Sequence, residues 1–277
     1  MTEQPTPVSK EQPLVSVVIP TYNRPDYVSR AIDSVLEQTY PSFEIIVIDD
    51  ASETDLTPLK ENYPQVTFLK NEQNRGACYS RNRGLQEAKG TYINFLDDDD
   101  ELFPEKIELQ VQKFQESQNP KVGMITAHAL DIRSGEKVLR KNNVTGNIYR
   151  KILYSYLLSG TETMLFRTSA IKEIGGFDEN LESNHEYDVL IRFCEKYEVD
   201  YVDKILSKEH RSENQISLNF DKKIHGAKFL FKKHNDRYKS FGSLFWLKMQ
   251  LKLRALVIRF WIGKTFGEKV YRTLLRV

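Results

Sequence analysis

The residues best suited to chemistry are four consecutive carboxylates, Asp97-Asp98-Asp99-Asp100, in the stretch Gly90-Thr-Tyr-Ile-Asn-Phe-Leu-Asp-Asp-Asp-Asp-Glu-Leu-Phe-Pro104. Four like charges in a row repel one another, and at a strand end they are costly until a cation neutralises them. Oxygen-rich sites with few protein ligands suit Mg2+ or Mn2+ bridging to phosphates. The plain alternative is a solvated acidic turn, since charge runs usually lie on exposed faces. A second acidic turn, Asp49-Asp50-Ala51-Ser52, follows the run Glu44-Ile-Ile-Val-Ile48, and neither turn has an obvious basic partner along the chain.

The elements around these acids say how they meet. Val15–Ile19, Glu44–Asp49, Val66–Leu69 and Tyr92–Leu96 are short β-prone runs. Between the first two, Val28, Ala31, Ile32, Val35 and Leu36 recur at helical spacing behind Pro25, and helices are expected over about 55–62 and 77–88. Strand and helix in alternation predict a parallel sheet with right-handed crossovers. Ligands of such sheets bind beyond the carboxyl ends of the strands. Pro20–Asn23, Asp49–Ser52 and Asp97–Asp100 are therefore expected at one edge. A nucleotide suits that edge: one carboxylate accepts from a uracil N–H or ribose hydroxyls, while others hold a metal on the phosphates. Arg81, on the intervening helix, adds a cation for the same phosphates.

The 277 residues suffice for one large α/β domain and an appendage, and 40% hydrophobic with 29% charged residues describes an ordinary globular chain. Cys78 and Cys194 lie too far apart for a disulfide framework or a metal spacing, which fits a reducing compartment. Met1-Thr-Glu-Gln-Pro-Thr-Pro7 lacks a basic start and an apolar core, so no signal peptide is expected and residues 1–13 read as a loose lead. The net charge of +1 conceals a split: residues 221–277 hold 15 Lys/Arg against 3 Asp/Glu, and residues 1–220 hold 25 against 36. A basic tail on an acidic body points to an anionic partner.

The motifs together carry a resemblance. Val15-Ser-Val-Val-Ile-Pro-Thr-Tyr-Asn-Arg24, Val47-Ile-Asp-Asp-Ala-Ser52, Asn74-Arg-Gly76, Arg81-Asn-Arg-Gly84, Ala88-Lys-Gly90 and Phe95-Leu-Asp-Asp-Asp-Asp100 resemble, in order and spacing, the family-2 glycosyltransferases of GT-A fold. The resemblance covers about residues 15–220. It implies an α/β Rossmann-like domain over 14–220, with a nucleotide-binding half (14–104) and an acceptor half (105–220), before a basic amphipathic helical extension over 221–277. It also implies a nucleotide-sugar donor (a UDP-sugar), a divalent metal, Mg2+ or Mn2+, and inversion at the anomeric carbon. Carried over, Pro20 and Tyr22 line the base pocket, Asp50 contacts uracil, Arg81 lies near the nucleotide, and Asp98 and Asp99 serve ribose and metal. The surplus acid leaves the frame open: Asp97/Asp99 and Asp98/Asp100 both fit, and Asp99's partner is Asp97 or Asp98.

In the acceptor half, Ala170-Ile-Lys-Glu-Ile-Gly-Gly-Phe-Asp-Glu179 resembles the family's turn that shapes the acceptor side. A helix is expected from His185, capped by Ser183 or Asn184, with Tyr187, Leu190, Ile191 and Cys194 on one face. Family members often carry Glu-Asp where His185-Glu186 stand, with the second acid as general base. Glu186 takes that place with a side chain one methylene longer; its plain alternative is a first-turn acid favoured by the helix dipole. His185 is expected to be exposed, and His210 lies where relatives place a residue near the phosphates.

Residues 243–262 are strongly apolar yet hold Lys248, Lys252, Arg254 and Arg259. Four charges weigh against a membrane-crossing helix. Trp246, Trp261 and the stripe of Lys248, Lys252 and Arg259 suit a helix lying on an anionic membrane, or else packed on the domain. The segment is too apolar for a solvated nucleic-acid-binding arm. The function expected is an inverting glycosyltransferase, peripheral on the cytoplasmic face of a membrane, acting on a glycan or lipid-linked acceptor. A polyprenyl-phosphate glycosyltransferase and an inactive sugar-nucleotide-binding protein are the alternatives.

Overall fold

The structure is a computed structural model describing residues 12–133, 136–158, 160–181, 183–211, 219–267 and 270–271. The lead expected over 1–13 falls mostly outside these residues. β1 (Val15–Thr21), α1 (Pro25–Leu36), β2 (Phe43–Asp49), α2 (Thr57–Asn62), β3 (Thr67–Lys70), α3 (Gly76–Glu87) and β4 (Tyr92–Phe95) alternate as expected. β1 is buried along its whole length, on both faces of the sheet, which is why Val and Ile occupy successive positions from Val17 to Ile19. It pairs in parallel with β2 from Val15↔Phe43 to Thr21↔Asp49 and with β4 from Val15↔Tyr92 to Val18↔Phe95. That register brings the carboxyl ends of β1, β2 and β4 to one edge.

The second half completes the sheet in a different sense. It holds β5 (Glu101–Leu102), α4 (Lys106–Glu116), β6 (Val122–Arg133), β7 (Glu136–Arg140), α5 (Tyr149–Tyr154), β8 (Leu165–Arg167), α6 (Thr168–Glu173), α7 (His185–Lys196) and β9 (Glu198–Arg211). The strand order is β3-β2-β1-β4-β8-β6-β9-β5, with β7 paired to β6. β8 runs antiparallel to β4 and to β6, while β9 is parallel to β6. One apolar cluster lies on each face of the sheet. Gly84 lets α3 approach closely: a Cβ there would lie 2.2 Å from Val18 Cγ1. That approach holds Arg81, one turn earlier, over the sheet edge.

Three helices follow: α8 (Phe220–Lys233), α9 (Asn235–Ser240) and α10 (Ser243–Phe266). They share a buried cluster with the α/β unit, in which Leu230, Phe231, Tyr238 and Met249 pack on Leu153 of α5 and Ile191 of α7. The outward face of α10 is not the expected one. Lys252 donates to the carbonyl of Tyr154, Arg259 is half-buried, and Trp246 Nε1 donates to Asn235 Oδ1 at 2.8 Å. Two cations of the stripe and one of the two tryptophans thus face protein, and apolar side chains face outward. Among the described residues, no helix is long and apolar enough to cross a membrane.

Candidate active site

A cavity of about 700 Å³ opens at the sheet edge where the strand ends meet. Pro20, Tyr22, Asp50, Arg81 and Asp97–Asp100 line one side, and Asn184, His185, Glu186 and Tyr187 face them from α7 and the residue before it. The segments separated in sequence do converge, as the alternation of strand and helix requires.

Each acid has its own surroundings. Thr21 Oγ1 donates to Asp98 Oδ2 at 2.8 Å, and Arg24 Nη1 lies 3.1 Å from Asp98 Oδ1 and 3.3 Å from Asp99 Oδ2. Arg30 donates to the Asp99 carbonyl at 2.8 Å. Arg81 pairs with Asp97. Lys70 stands 3.6 Å from Asp49. The acidic turns therefore do have basic partners, supplied across the fold. Burial nevertheless pushes the Asp98 carboxyl up to about 6, against the pull of Arg24, and burial and Asp97 raise Asp99. Asp100 faces β9, accepting the backbone N–H of His210 at 2.9 Å; burial and Glu162 lift it well above the carboxylate range.

Asp50 is committed to the chain. Its Oδ1 accepts from Asn71 Nδ2 (2.7 Å) and the Arg75 N–H (3.0 Å), and its Oδ2 accepts from the Gly76 N–H (2.7 Å). It thereby holds the loop entering α3, and Ala51 beside it adopts φ of 62°, a strained value for a residue with a Cβ. Arg81 is 3% exposed, and its Nε and Nη1 find no acceptor among the described residues. Two buried donors without partners, at a cavity wall, fit an anionic ligand.

Glu186 sits in the first turn of α7. Asn184 occupies the capping position with φ of 63°, but its side chain donates to Ser183 Oγ and caps nothing. His185 is half-buried instead of exposed; its Nε2 lies 2.8 Å from the Leu181 carbonyl, and burial lowers its pKa. Two residues after Glu186, the fully buried Asp188 is bonded to Arg192, Lys233 and His234, which hold it well below the usual range. Asp188 is structural, which leaves Glu186 as the acid of this helix that faces the cavity. His210 is placed elsewhere: its Nε2 is 2.7 Å from Glu101 Oε1, and it does not line the cavity.

The cavity also holds residues that sequence reasoning missed. Glu162, in a single 3-10 turn (Thr161–Thr163), is 1% exposed, and its Oε1 has no hydrogen-bond partner among the described residues. Burial and Glu209 hold its carboxyl well above the usual range. Gly160 makes the room: at φ of 77°, a Cβ would lie 2.0 Å from Glu162 Oε1. Tyr156, Arg140, Lys222, Phe260 and Tyr271 line the same cavity. Of these signals, only the Gly160–Glu162 spacing was visible along the chain.

Residues 16–175 match the family described as "Glycosyl transferase family 2". The chain belongs to that family. It is 30% identical over 253 residues to the putative colanic acid biosynthesis glycosyl transferase WcaA of Escherichia coli, covering 83% of this chain and 84% of WcaA. An uncharacterized glycosyltransferase of Rickettsia typhi is 31% identical over 213 residues; 74% of this chain matches 66% of that one, just under two thirds of its length. Among solved structures, Staphylococcus aureus TarS 1–349 in complex with UDP-GlcNAc superposes with a TM-score of 0.60 at 20% identity, over 89% of this chain and 79% of that one. Mannosyltransferase PcManGT from Pyrobaculum calidifontis, in complex with GDP-Man and Mn2+, gives 0.62 at 18%, over 99% and 82%. At that identity the likeness is one of fold, and the fold is GT-A.

The donor set beneath the cavity fits a hard divalent cation. Asp97, Asp98 and Asp99 offer only carboxylate oxygens, crowded and partly desolvated, and a cation there offsets the burial and repulsion that raise Asp98 and Asp99. Among the described residues no group of three His, Cys, Asp or Glu side chains converges on a point. One or two carboxylates with ligand phosphates and water completing the shell is the manner in which Mg2+ is usually held.

Proposed function

We propose that this chain is an inverting glycosyltransferase that moves a sugar from a nucleoside-diphosphate sugar, a UDP-sugar, to a hydroxyl of a glycan or lipid-linked acceptor in surface polysaccharide synthesis. The observation that carries this reading is one cavity lined on one side by Asp97–Asp99 and Arg81 and on the other by Glu186. Family membership supports it, as do the nucleotide sugars bound by fold relatives and the colanic acid role in the name of WcaA.

In this reading Pro20 and Tyr22 hold the base, while the loop fixed by Asp50 closes on it. Arg81 donates its two unpartnered N–H groups to the diphosphate. Asp99 with Asp97 holds Mg2+ or Mn2+, and Asp98 serves the ribose side; the commitment of Asp100 to β9 favours this frame over Asp98/Asp100. When bound, the metal neutralises charge on the departing diphosphate. Glu186 takes the proton from the acceptor hydroxyl as its oxygen attacks the anomeric carbon on the face opposite the nucleotide. The C1–O bond to the diphosphate breaks in the same step, and the configuration inverts. His185 is neutral at pH 7 and adds no competing charge beside that base. The protein works as a peripheral component of the cytoplasmic membrane face, where α10 exposes apolar side chains.

The test is a screen of UDP- and GDP-sugars for thermal stabilisation and slow donor hydrolysis, with Mn2+, Mg2+ or EDTA. A UDP-sugar should raise Tm, and EDTA should remove most of the shift. No shift with any nucleotide sugar overturns the reading.

A further inference from the structure

A second cavity, of about 570 Å³, lies between α5 and α10, away from the sheet edge. Asn147, Arg150, Lys151, Tyr154, Phe245 and Lys248 form most of its wall, and no carboxylate lines it. Among the described residues, none of Arg150, Lys151 and Lys248 has a carboxylate within ion-pair distance. The Arg150 guanidinium is placed by aromatic rings instead, 5.9 Å from the ring centroids of both Phe241 and Phe245. The nearby acid Glu195 is committed to Arg237 at 2.6 Å and to the Tyr149 hydroxyl at 3.1 Å. Four cations of α8–α10 are neutralised: Lys233 by Asp178, Arg237 by Glu195, Lys239 by Asp236 and Lys264 by Asp221. This cluster is not.

The cavity adjoins an apolar surface. Leu244, Leu247, Leu251, Ile258 and Trp261 share one face of α10, at spacings of three, four, seven and three residues with the exposed Arg254 in the longest gap, and are each 49–66% exposed. Lys248 stands between Leu244 and Leu251 on that face, four residues after one and three before the other. Three uncompensated cations in a recess, beside a long apolar stripe, match a phosphate headgroup and the acyl region beneath it. The excess of 15 basic over 3 acidic residues in 221–277 has the same sign.

We propose that the α5–α10 cavity binds the phosphate headgroup of an anionic phospholipid while the apolar stripe of α10 is seated in the same leaflet. This names the lipid contact of the peripheral reading above and rests on it. A basic, apolar helix alone would give diffuse attraction; a recess between two helices gives a defined headgroup site.

The experiment is vesicle co-sedimentation of the full chain with phosphatidylcholine alone and with phosphatidylcholine plus 30% phosphatidylglycerol. Binding to the anionic vesicles should be at least about tenfold stronger. R150Q/K151Q/K248Q should lose most of that preference and keep donor hydrolysis. K60Q/K89Q/K121Q, with the same loss of charge at remote sites, should keep both. L247D/L251D should lose binding to either vesicle. Equal binding of the unaltered chain to both vesicles overturns the proposal without any variant. Equal losses in the two triple variants leave a peripheral protein but overturn the headgroup site, and no binding to any vesicle overturns the membrane reading itself. Inorganic phosphate that stabilises the unaltered chain and not R150Q/K151Q/K248Q, without vesicle binding, assigns the cavity to a soluble anion. A dimer in solution that L247D/L251D abolishes, again without vesicle binding, assigns the stripe to a second copy.

Discussion

His234 of the α8–α9 junction and Asp188 of α7, neither exposed to solvent, share a hydrogen bond of 2.9 Å between Nε2 and Oδ1. Lys233, 2.8 Å from the same oxygen, and Arg192, 2.6 Å from Oδ2, complete a buried ionic knot two residues beyond Glu186. Asp188→Asn keeps the shape but strips these cations of their anion. It should lower the free energy of unfolding by about 3–5 kcal/mol, the usual cost of breaking a buried pair on one side, as read by urea denaturation.

Glu186→Gln keeps the side chain's length and its place on α7 while removing the base. Transfer to the acceptor should fall by about a hundredfold or more, with nucleotide affinity within about twofold of the unaltered protein. Calorimetry with UDP and single-turnover transfer separate the two. Transfer at the unaltered rate would remove Glu186 from the reaction.

Arg81→Lys retains a positive charge but loses the fork whose Nε and Nη1 are unpartnered. Affinity for UDP should fall by about tenfold, with uridine affected far less, because the deficit lies at the diphosphate. Equal losses for UDP and uridine would mean that Arg81 serves only Asp97.

Lys106, fully buried and bonded to Gln110 Oε1 at 2.7 Å, has its ammonium pushed down to about 7 by burial, with Glu162 the acid opposing the shift. The folded protein releases this proton near pH 7, while the unfolded chain holds it to about 10.5. The unfolded state therefore binds more protons across that window, and this group's contribution to stability rises with pH from 7 upward. Lys106→Met should flatten the rise of Tm between pH 7 and 9. An unchanged slope would show that Lys106 is not its source.

The wall formed by the strand ends was legible because local chemistry determines it. Val15–Ile19 and Glu44–Asp49 read as buried parallel strands, and parallel strands deliver Thr21, Asp50 and Asp97 to one edge. The rest of the cavity was not legible. Glu162, Tyr156 and Phe260 meet only because β8, β6 and β9 join the sheet out of sequence order, and no short-range pattern carries that order. The pairing of His210 with Glu101 was hidden because the two lie 109 residues apart, on adjacent strands. The outward face of α10 was hidden for another reason: apolar residues surround the helix, so periodicity could not say which side the cations take.

α10 has one property that neither cavity has alone. It is a single unbroken helix, with Lys248 at the wall of the α5–α10 recess and Phe260 at the wall of the cavity at the sheet edge. Twelve residues of helix put these positions about 18 Å apart along one rod. In the proposed reading, a lipid contact made at one end is carried by the same element that bounds the acceptor's space at the other.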